Sequence, residues 1–197
     1  MKFKEFKNVR DYDRKIVKVT NIDEKLKKDL KIEELSEPIY GILYIDRQCG
    51  SSLRITGNET KQYKDIMLIV RSGQFAEMNF EIFPGDDFTK KVLNEINEGY
   101  YDDNLNELLL DKKLDKYRHE DFPNDVMAIL PNEKQPEQMW VRLFMKTKEK
   151  DLYVAELLDN SFFNKSYTAG KKVAVVLYKE GDFEGLIING LVKMADE

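Results

Sequence analysis

The feature of this sequence that most constrains its fold is the grouping of strand-like runs at its two ends. Five runs rich in β-branched and aromatic residues come first: Lys15–Thr20, Ile39–Ile45, Ser52–Thr56, Asp65–Val70 and Met78–Phe83. Four more come last: Met139–Lys146, Leu152–Leu158, Lys172–Tyr178 and Glu184–Met194. Because most of these strands are grouped, with one helical segment among them, we predict an α+β fold.

Three segments have helical patterns, and they are residues 21–35, 84–99 and 104–117. In the first, apolar residues recur every four positions. The second opens with acidic residues, which favour a helix N-terminus, and it ends on Gly99. In the third, Asn104 and Glu107 have the spacing of a capping box.

The segment Pro131–Pro136 is the best candidate for a linker, because two prolines bracket polar residues. We therefore predict an N-terminal α+β domain over residues 1–130, with a mixed, antiparallel sheet and two or three helices. Residues 137–197 form a C-terminal β-rich domain, either an antiparallel sheet or a small barrel. We expect the linker to be exposed and to be cut first near Lys134.

Composition limits the cellular compartments and the classes of partner that we expect for this chain. The formal charge is −5, from 37 acidic and 32 basic residues, and no concentrated basic block stands out, which counts against a nucleic-acid partner. The single cysteine excludes an internal disulfide, and the N-terminus is charged where a signal peptide would be apolar. No apolar run approaches the roughly 20 residues that span a bilayer. We therefore expect a cytoplasmic protein that does not enter a membrane.

Motifs for metals and cofactors are weak. His119 and Cys49 are the only histidine and cysteine, too few for a structural zinc site. Residues 102–113 resemble a calcium loop at their start, but Glu107 and Lys113 replace its glycine and its final glutamate. Lys165 stands where a phosphate-binding loop needs glycine. We assign no cofactor, no metal ligand and no catalytic residue.

Two features of the sequence invite an enzymatic interpretation, namely Cys49 with its neighbours and the abundant carboxylates. Cys49 precedes Gly50 and Ser51, like the start of a papain-type motif, but Ser52 replaces the expected second cysteine. We interpret this stretch as a tight turn beside a buried thiol. An enzyme that uses carboxylates, with or without a divalent metal, stays open because acidic residues are abundant.

The best candidate for a binding site is the strand that carries the only tryptophan. Trp140, Arg142 and Phe144 fall on one face of this strand, and Tyr153 on the next strand could extend that face. Aromatic and arginine side chains often anchor protein interfaces. Whether Trp140 lies in the core or on the surface stays open, and we expect Arg142→Ala to change stability little.

The last third of the chain resembles a bacterial domain of unknown function, the YegJ-like family. The residues that carry the resemblance are Glu137–Leu143, Ala155–Phe163 and Ala169–Leu177. The resemblance implies a folded module that is often joined to other domains, and it implies no catalytic residues. The first two thirds resemble no family that we recognise.

These observations favour a non-enzymatic interaction module that binds a protein partner, of the inhibitor, immunity or anti-defence type. Besides the carboxylate enzyme, a single-stranded nucleic-acid binder is a further alternative, because aromatic and basic residues occur together in the C-terminal part. Those residues are Trp140, Arg142, Tyr153, Tyr167 and Lys171. The oligomeric state and the partner's identity stay open.

Overall fold

The computed structural model of the chain describes residues 1–69, 77–133 and 135–192. Three expectations reach outside these residues: the end of the fourth run at Val70, the end of the last run at 193–194, and the cleavage near Lys134. The fold is α+β, as predicted, and it divides into two compact units. The N-terminal unit contains Met1–Tyr101 with Glu120–Phe122, and the C-terminal unit contains Asp102–His119 and the chain from Pro123 onward.

The N-terminal unit is built on one five-stranded sheet. Its strands are β1 (Lys15–Thr20), β2 (Ile39–Asp46), β3 (Gly50–Gly57), β4 (Gln62–Ile69) and β5 (Asn79–Ile82). Their order is β4-β3-β2-β1-β5, and every neighbouring pair is antiparallel. Its helices are α1 (Val9–Tyr12), α2 (Glu24–Asp29) and α3 (Asp87–Tyr100).

Helix α3 packs its apolar side on this sheet. Val92 and Ile96 lie in one buried cluster with Ile42 and Tyr44 of β2. The helix continues through Gly99 to Tyr100, so the predicted stop at the glycine is wrong. The ring of Tyr100 packs against that of Tyr44, with centroids 5.2 Å apart, and this contact favours the last helical turn.

The C-terminal unit is a closed five-stranded barrel with two short helices. Its elements are α4 (Asp103–Leu110), a 3-10 helix (Lys112–Tyr117), β6 (Asp125–Leu130), β7 (Glu137–Lys146), β8 (Leu152–Leu157), β9 (Lys172–Glu180) and β10 (Phe183–Leu191). Each strand runs antiparallel to the one before it. Four reversals leave β10 pointing the same way as β6, so the barrel closes through a parallel pairing, Ile187 to Ile129.

The interior of the barrel is apolar, and residues from outside its strands pack against it. Leu108 of α4 and Leu114 of the 3-10 helix join the core at the end where β7 turns into β8. Tyr167, in the loop between β8 and β9, packs against the core. The buried residues from the strands are Val126, Ala128, Leu130, Met139, Val141, Leu143, Tyr153, Ala155, Leu157, Val173, Val175, Leu186 and Ile188.

The division into units does not coincide with the predicted boundary at Pro131–Pro136. The apolar run before Pro131 is strand β6, and it pairs with β7 over six residues. The proline-rich segment is therefore a connection within one barrel. The chain first passes from one unit to the other at Tyr101 and Asp102, and it crosses again on each side of Glu120–Phe122. At the first crossing Asp102, and not Asn104 as predicted, caps α4 by accepting a hydrogen bond from the Leu105 N–H (2.8 Å).

Candidate functional site

Trp140, Arg142 and Phe144 lie on the outer face of β7, as the alternation of the strand predicted. Met139, Val141 and Leu143 point into the core between them. Trp140 is half-buried and stands outside the core cluster. Its indole packs edge-on against the imidazole of His119, with ring centroids 4.9 Å apart. The tryptophan is thus a residue of the barrel's outer surface.

Arg142 is engaged within the barrel. Its Nε and Nη2 donate to the two carboxylate oxygens of Asp125 on β6, at 2.7 and 2.9 Å. The Asp125 side chain is only 8% exposed and the Arg142 side chain 26%. Removing Arg142 would leave a buried carboxylate without this fork of hydrogen bonds. The expectation that Arg142→Ala changes stability little therefore conflicts with this geometry.

This ion pair belongs to a row of alternating charges across four strands. Asp125 on β6 is opposite Arg142 on β7, which is opposite Glu156 on β8, which is opposite Lys172 on β9. Lys172 forms an ion pair with Glu156. We call these four residues the charge ladder. The four charges of the ladder sum to zero.

Phe144 lies at a bulge in β7, where the pairing with β8 shifts by one residue. Its ring is exposed, and the Lys172 ammonium lies 3.3 Å from the ring centroid. This geometry is a cation–π contact, which holds the ring against the charge ladder. Phe144 therefore lies at the surface, on the strand face where the sequence places it.

Tyr153 does not belong to this surface. It is fully buried inside the barrel, on the same face of β8 as Ala155 and Leu157. Its hydroxyl donates to Asp111, which also accepts a hydrogen bond from Lys146, each at 2.9 Å. The sequence carried the signal: Glu156 marks the outer face of β8, so residues of the opposite parity point inward.

The most exposed aromatic residue of the barrel is Phe162, which sequence reasoning did not select, and its neighbour Phe163 is also exposed. Phe162 is 77% exposed and Phe163 is 40% exposed, in the loop Leu158–Lys171 between β8 and β9. Their rings meet edge to face, with centroids 5.0 Å apart. Two consecutive phenylalanines between Asn-Ser and Asn-Lys could have signalled this, because neither strand nor turn geometry buries both.

Glu137, the first residue of β7, holds this loop. Its Oε1 accepts hydrogen bonds from the Ser161 hydroxyl (2.7 Å) and the Phe163 N–H (3.2 Å), and its Oε2 accepts one from the Phe162 N–H (2.7 Å). Burial acts to raise the pKa of Glu137, but these hydrogen bonds outweigh it and lower the pKa overall. The carboxylate is therefore ionised and fixed beneath the exposed pair.

The N-terminal unit contains a buried polar cluster around Tyr101. The Tyr101 hydroxyl donates to Asp13 and accepts a hydrogen bond from the Ile45 N–H (2.8 Å). Arg14 donates to Asp13 at 3.0 Å and stacks its guanidinium over the Tyr101 ring. Burial raises the pKa of Asp13, although Tyr101 and Arg14 act to lower it. The cluster ties the end of α3 to β2 and to the start of β1.

A cleft of about 310 Å³ lies in the N-terminal unit, over the pairing of β1 with β5. One carboxylate lines it, that of Glu81, which is opposite Lys18 across the two strands. Cys49 is half-buried in the turn between β2 and β3, where its N–H donates to Asp46 at 2.7 Å. Among the described residues, no three His, Cys, Asp or Glu side chains are grouped to hold a metal ion.

Within the described ranges, no helix is both long enough and apolar enough to cross a membrane. No family model, no curated protein and no solved structure matches the chain. The resemblance of the last third to the YegJ-like family therefore stays a prediction from the sequence.

Proposed function

We propose that the C-terminal barrel is a non-enzymatic protein-interaction module that works in the cytoplasm and binds a protein partner through the Leu158–Lys171 loop. The observation that carries this proposal is the exposed pair Phe162 and Phe163 on a loop whose backbone is hydrogen-bonded to Glu137. Large aromatic side chains presented in a fixed geometry are the usual anchors of protein interfaces.

The energy available from this pair suits an anchor. At roughly 200 Å² per ring, the two rings expose about 230 Å² of mostly apolar surface. Burying that area would contribute about 6 kcal/mol before the costs of association, which are of similar size or larger. The pair can therefore dominate an interface, but neighbouring contacts must complete it.

The outer face of β7 is the weaker candidate for the centre of the interface. Arg142 donates to Asp125, and Lys172 is paired with Glu156. A partner would have to compete with these contacts, whereas the rings of Phe162 and Phe163 meet each other and are 77% and 40% exposed. Trp140 and Phe144 are better suited to a rim around the anchor.

A single-stranded nucleic-acid binder is kept as a second function because one observation favours it. Exposed Lys165 and Lys171 lie in the same loop as the two phenylalanines, and bases stack on such rings beside basic groups. The acidic balance of the chain and the neutral charge ladder favour a protein. The cleft over β1 and β5 contains one carboxylate, that of Glu81, and so does not by itself supply the carboxylate pair of the alternative enzyme.

The test compares two aromatic pairs in affinity capture from the native host. Phe162→Ser/Phe163→Ser should abolish capture of the proteins that the wild-type chain retains. Tyr178→Ser/Phe183→Ser is the matched control, because these rings are also exposed and in contact, at the β9–β10 hairpin. Both variants should unfold at the wild-type temperature. Capture that survives the first variant, or that is lost equally in both, would contradict the proposal.

A further inference from the structure

Asn189 and Gly190 form the only Asn-Gly step in the sequence, and they lie in β10 of the barrel. Such a step is chemically labile, because the backbone nitrogen of the glycine can attack the side-chain amide of the asparagine. Glycine favours this attack, since it has no Cβ to hinder the approach and its backbone is the least restricted. Regular strand pairing opposes the attack by holding the backbone extended, so the pairing around Asn189 is decisive.

Asn189 has no partner on β9. Ile188 is opposite Val175 and Gly190 is opposite Ala174, so Asn189 is the extra residue of a β-bulge. Its side chain is exposed, whereas Ile188 before it is buried in the core. The Asn189 amide is therefore outside the regular ladder and accessible to water.

The surroundings of Gly190 leave room for a ring to form. Its φ is +156°, which residues with a side chain rarely adopt, and among the described residues beyond its chain neighbours no heavy atom lies within 4 Å of where a Cβ would be. On its other edge, β10 pairs with β6 at Ile187 and Ile129, and within the described chain its later pairs are with β9. The bulge thus places a glycine directly after Asn189, past the point where the barrel closes.

We propose that Asn189 is a self-modification site, at which the barrel converts this asparagine into aspartate and isoaspartate and so loosens the end of β10. The Gly190 nitrogen forms a bond to the Asn189 side-chain carbonyl carbon. The bond from that carbon to the amide nitrogen breaks, and this nitrogen leaves as ammonia with the proton of the Gly190 N–H. Water then opens the five-membered succinimide ring at one carbonyl to give aspartate, or at the other to give isoaspartate.

The two products affect the bulge differently. Aspartate keeps the main chain and adds one negative charge to a chain of formal charge −5. Isoaspartate routes the main chain through the former side chain, which lengthens it by one methylene, about 1.5 Å. The longer chain displaces the contacts that follow the bulge. They are Gly190 opposite Ala174, Leu191 opposite Val173, and the hydrogen bond from the Val192 N–H to the Lys172 carbonyl at 2.9 Å.

Asn160 provides an internal comparison. It is also exposed, and it precedes another small residue, Ser161. Its Oδ1 accepts a hydrogen bond from the Ala169 N–H at 2.9 Å, and Ser161 is buried and carries a Cβ. These contacts fix the Asn160 side chain and hinder attack on it. Asn189 should therefore deamidate at least about tenfold faster than Asn160 in the folded chain.

The experiment follows both sites in the full chain. The protein is incubated at neutral pH and physiological temperature in water labelled with heavy oxygen, and samples are digested with trypsin. Residues 180–193 form one peptide in which Asn189 is the only asparagine, and residues 151–165 form the peptide that contains Asn160. We expect heavy oxygen in the first peptide, divided between aspartate and isoaspartate. Asn189→Gln is the control, because glutamine cannot form the five-membered ring, and its peptide should stay unlabelled.

Two results would overturn the modification site. One is a rate at Asn189 no greater than the rate at Asn160. The other is a rate at Asn189 that rises more than about a hundredfold when urea unfolds the chain, since the fold would then protect the step.

A second measurement tests the loosening of β10. The deamidated fraction of the aged protein, separated by its extra charge, should unfold at a lower temperature than fresh Asn189→Asp, which has the charge without the longer main chain. Its Val192 amide hydrogen should also exchange faster, while exchange at Val141 stays unchanged. A fraction that contains isoaspartate and is as stable as Asn189→Asp would reject the loosening.

Discussion

The outer face of β7 and the Leu158–Lys171 loop both present aromatic rings to solvent, but their polar groups act differently. On the outer face of β7, the charge ladder contains two ion pairs, Asp125 with Arg142 and Glu156 with Lys172. In the loop, Glu137 accepts hydrogen bonds from two backbone N–H groups and from the Ser161 hydroxyl. The rings of Phe162 and Phe163 stay exposed. The first arrangement stabilises the barrel, and the second presents side chains to a partner.

This difference shows that residue type alone is a poor guide to a binding surface. Arginine and tryptophan are frequent anchors, which is why Arg142 and Trp140 were selected from the sequence. Arg142, however, forms a two-point ion pair with a nearly buried carboxylate. What distinguishes the loop is the combination of an ordered backbone with side chains that have few partners inside the fold.

The largest expected effect comes from the aromatic residue that lies inside the barrel. Tyr153→Ala should lower the free energy of unfolding by about 3–5 kcal/mol, because it leaves a cavity and removes a hydrogen bond to Asp111. Phe162→Ala, the matched control, should change stability by no more than about 0.5 kcal/mol. Urea unfolding of both variants measures the difference. Similar losses in the two would remove the contrast between interior and presented rings.

The next effect concerns the charge ladder. Arg142→Ala should destabilise the barrel by about 2 kcal/mol, since it leaves the Asp125 carboxylate without its partner in a nearly buried position. The double variant Asp125→Ala/Arg142→Ala should recover part of this loss, and Lys165→Ala in the loop should have almost no effect. Urea unfolding of the three variants, together with Asp125→Ala to close the double-mutant cycle, measures these changes. An Arg142→Ala protein as stable as the wild type would return this arginine to the candidate binding residues.

The smallest expected effect is on the pH dependence of stability, and it comes from Asp111, which binds Lys146 at the end of β7. Burial acts to raise the pKa of Asp111, but hydrogen bonds from Lys146 and Tyr153 outweigh it and lower the pKa overall. A carboxyl whose pKa is lowered by folding adds stability above its unfolded value, near pH 4, and that stability is lost as pH falls through the folded pKa. Asp111→Asn should therefore make the acid loss of stability shallower below about pH 4. Unfolding curves at several pH values check this, and parallel curves for both proteins would contradict it.

Much of the architecture could be predicted because it is local. Alternation along β7 placed Trp140, Arg142 and Phe144 on one face, and the structure keeps them there. Alternation along β8 also places Tyr153 inside the barrel, because Glu156 marks the outer face of the strand. Strand β6 is harder to predict, because a run of five apolar residues between prolines does not distinguish a strand from a buried helical turn.

By itself, the sequence determined the α+β class, the alternation along the strands and the abundance of mixed charge, since these follow from propensity and period. Only the tertiary structure decided that the proline-rich segment joins two strands of one barrel, because strand pairing depends on contacts that composition does not encode. It also decided which aromatic residues stay uncovered. That outcome depends on Glu137 meeting a loop 24 residues further along the chain, and no local pattern specifies a contact of that range.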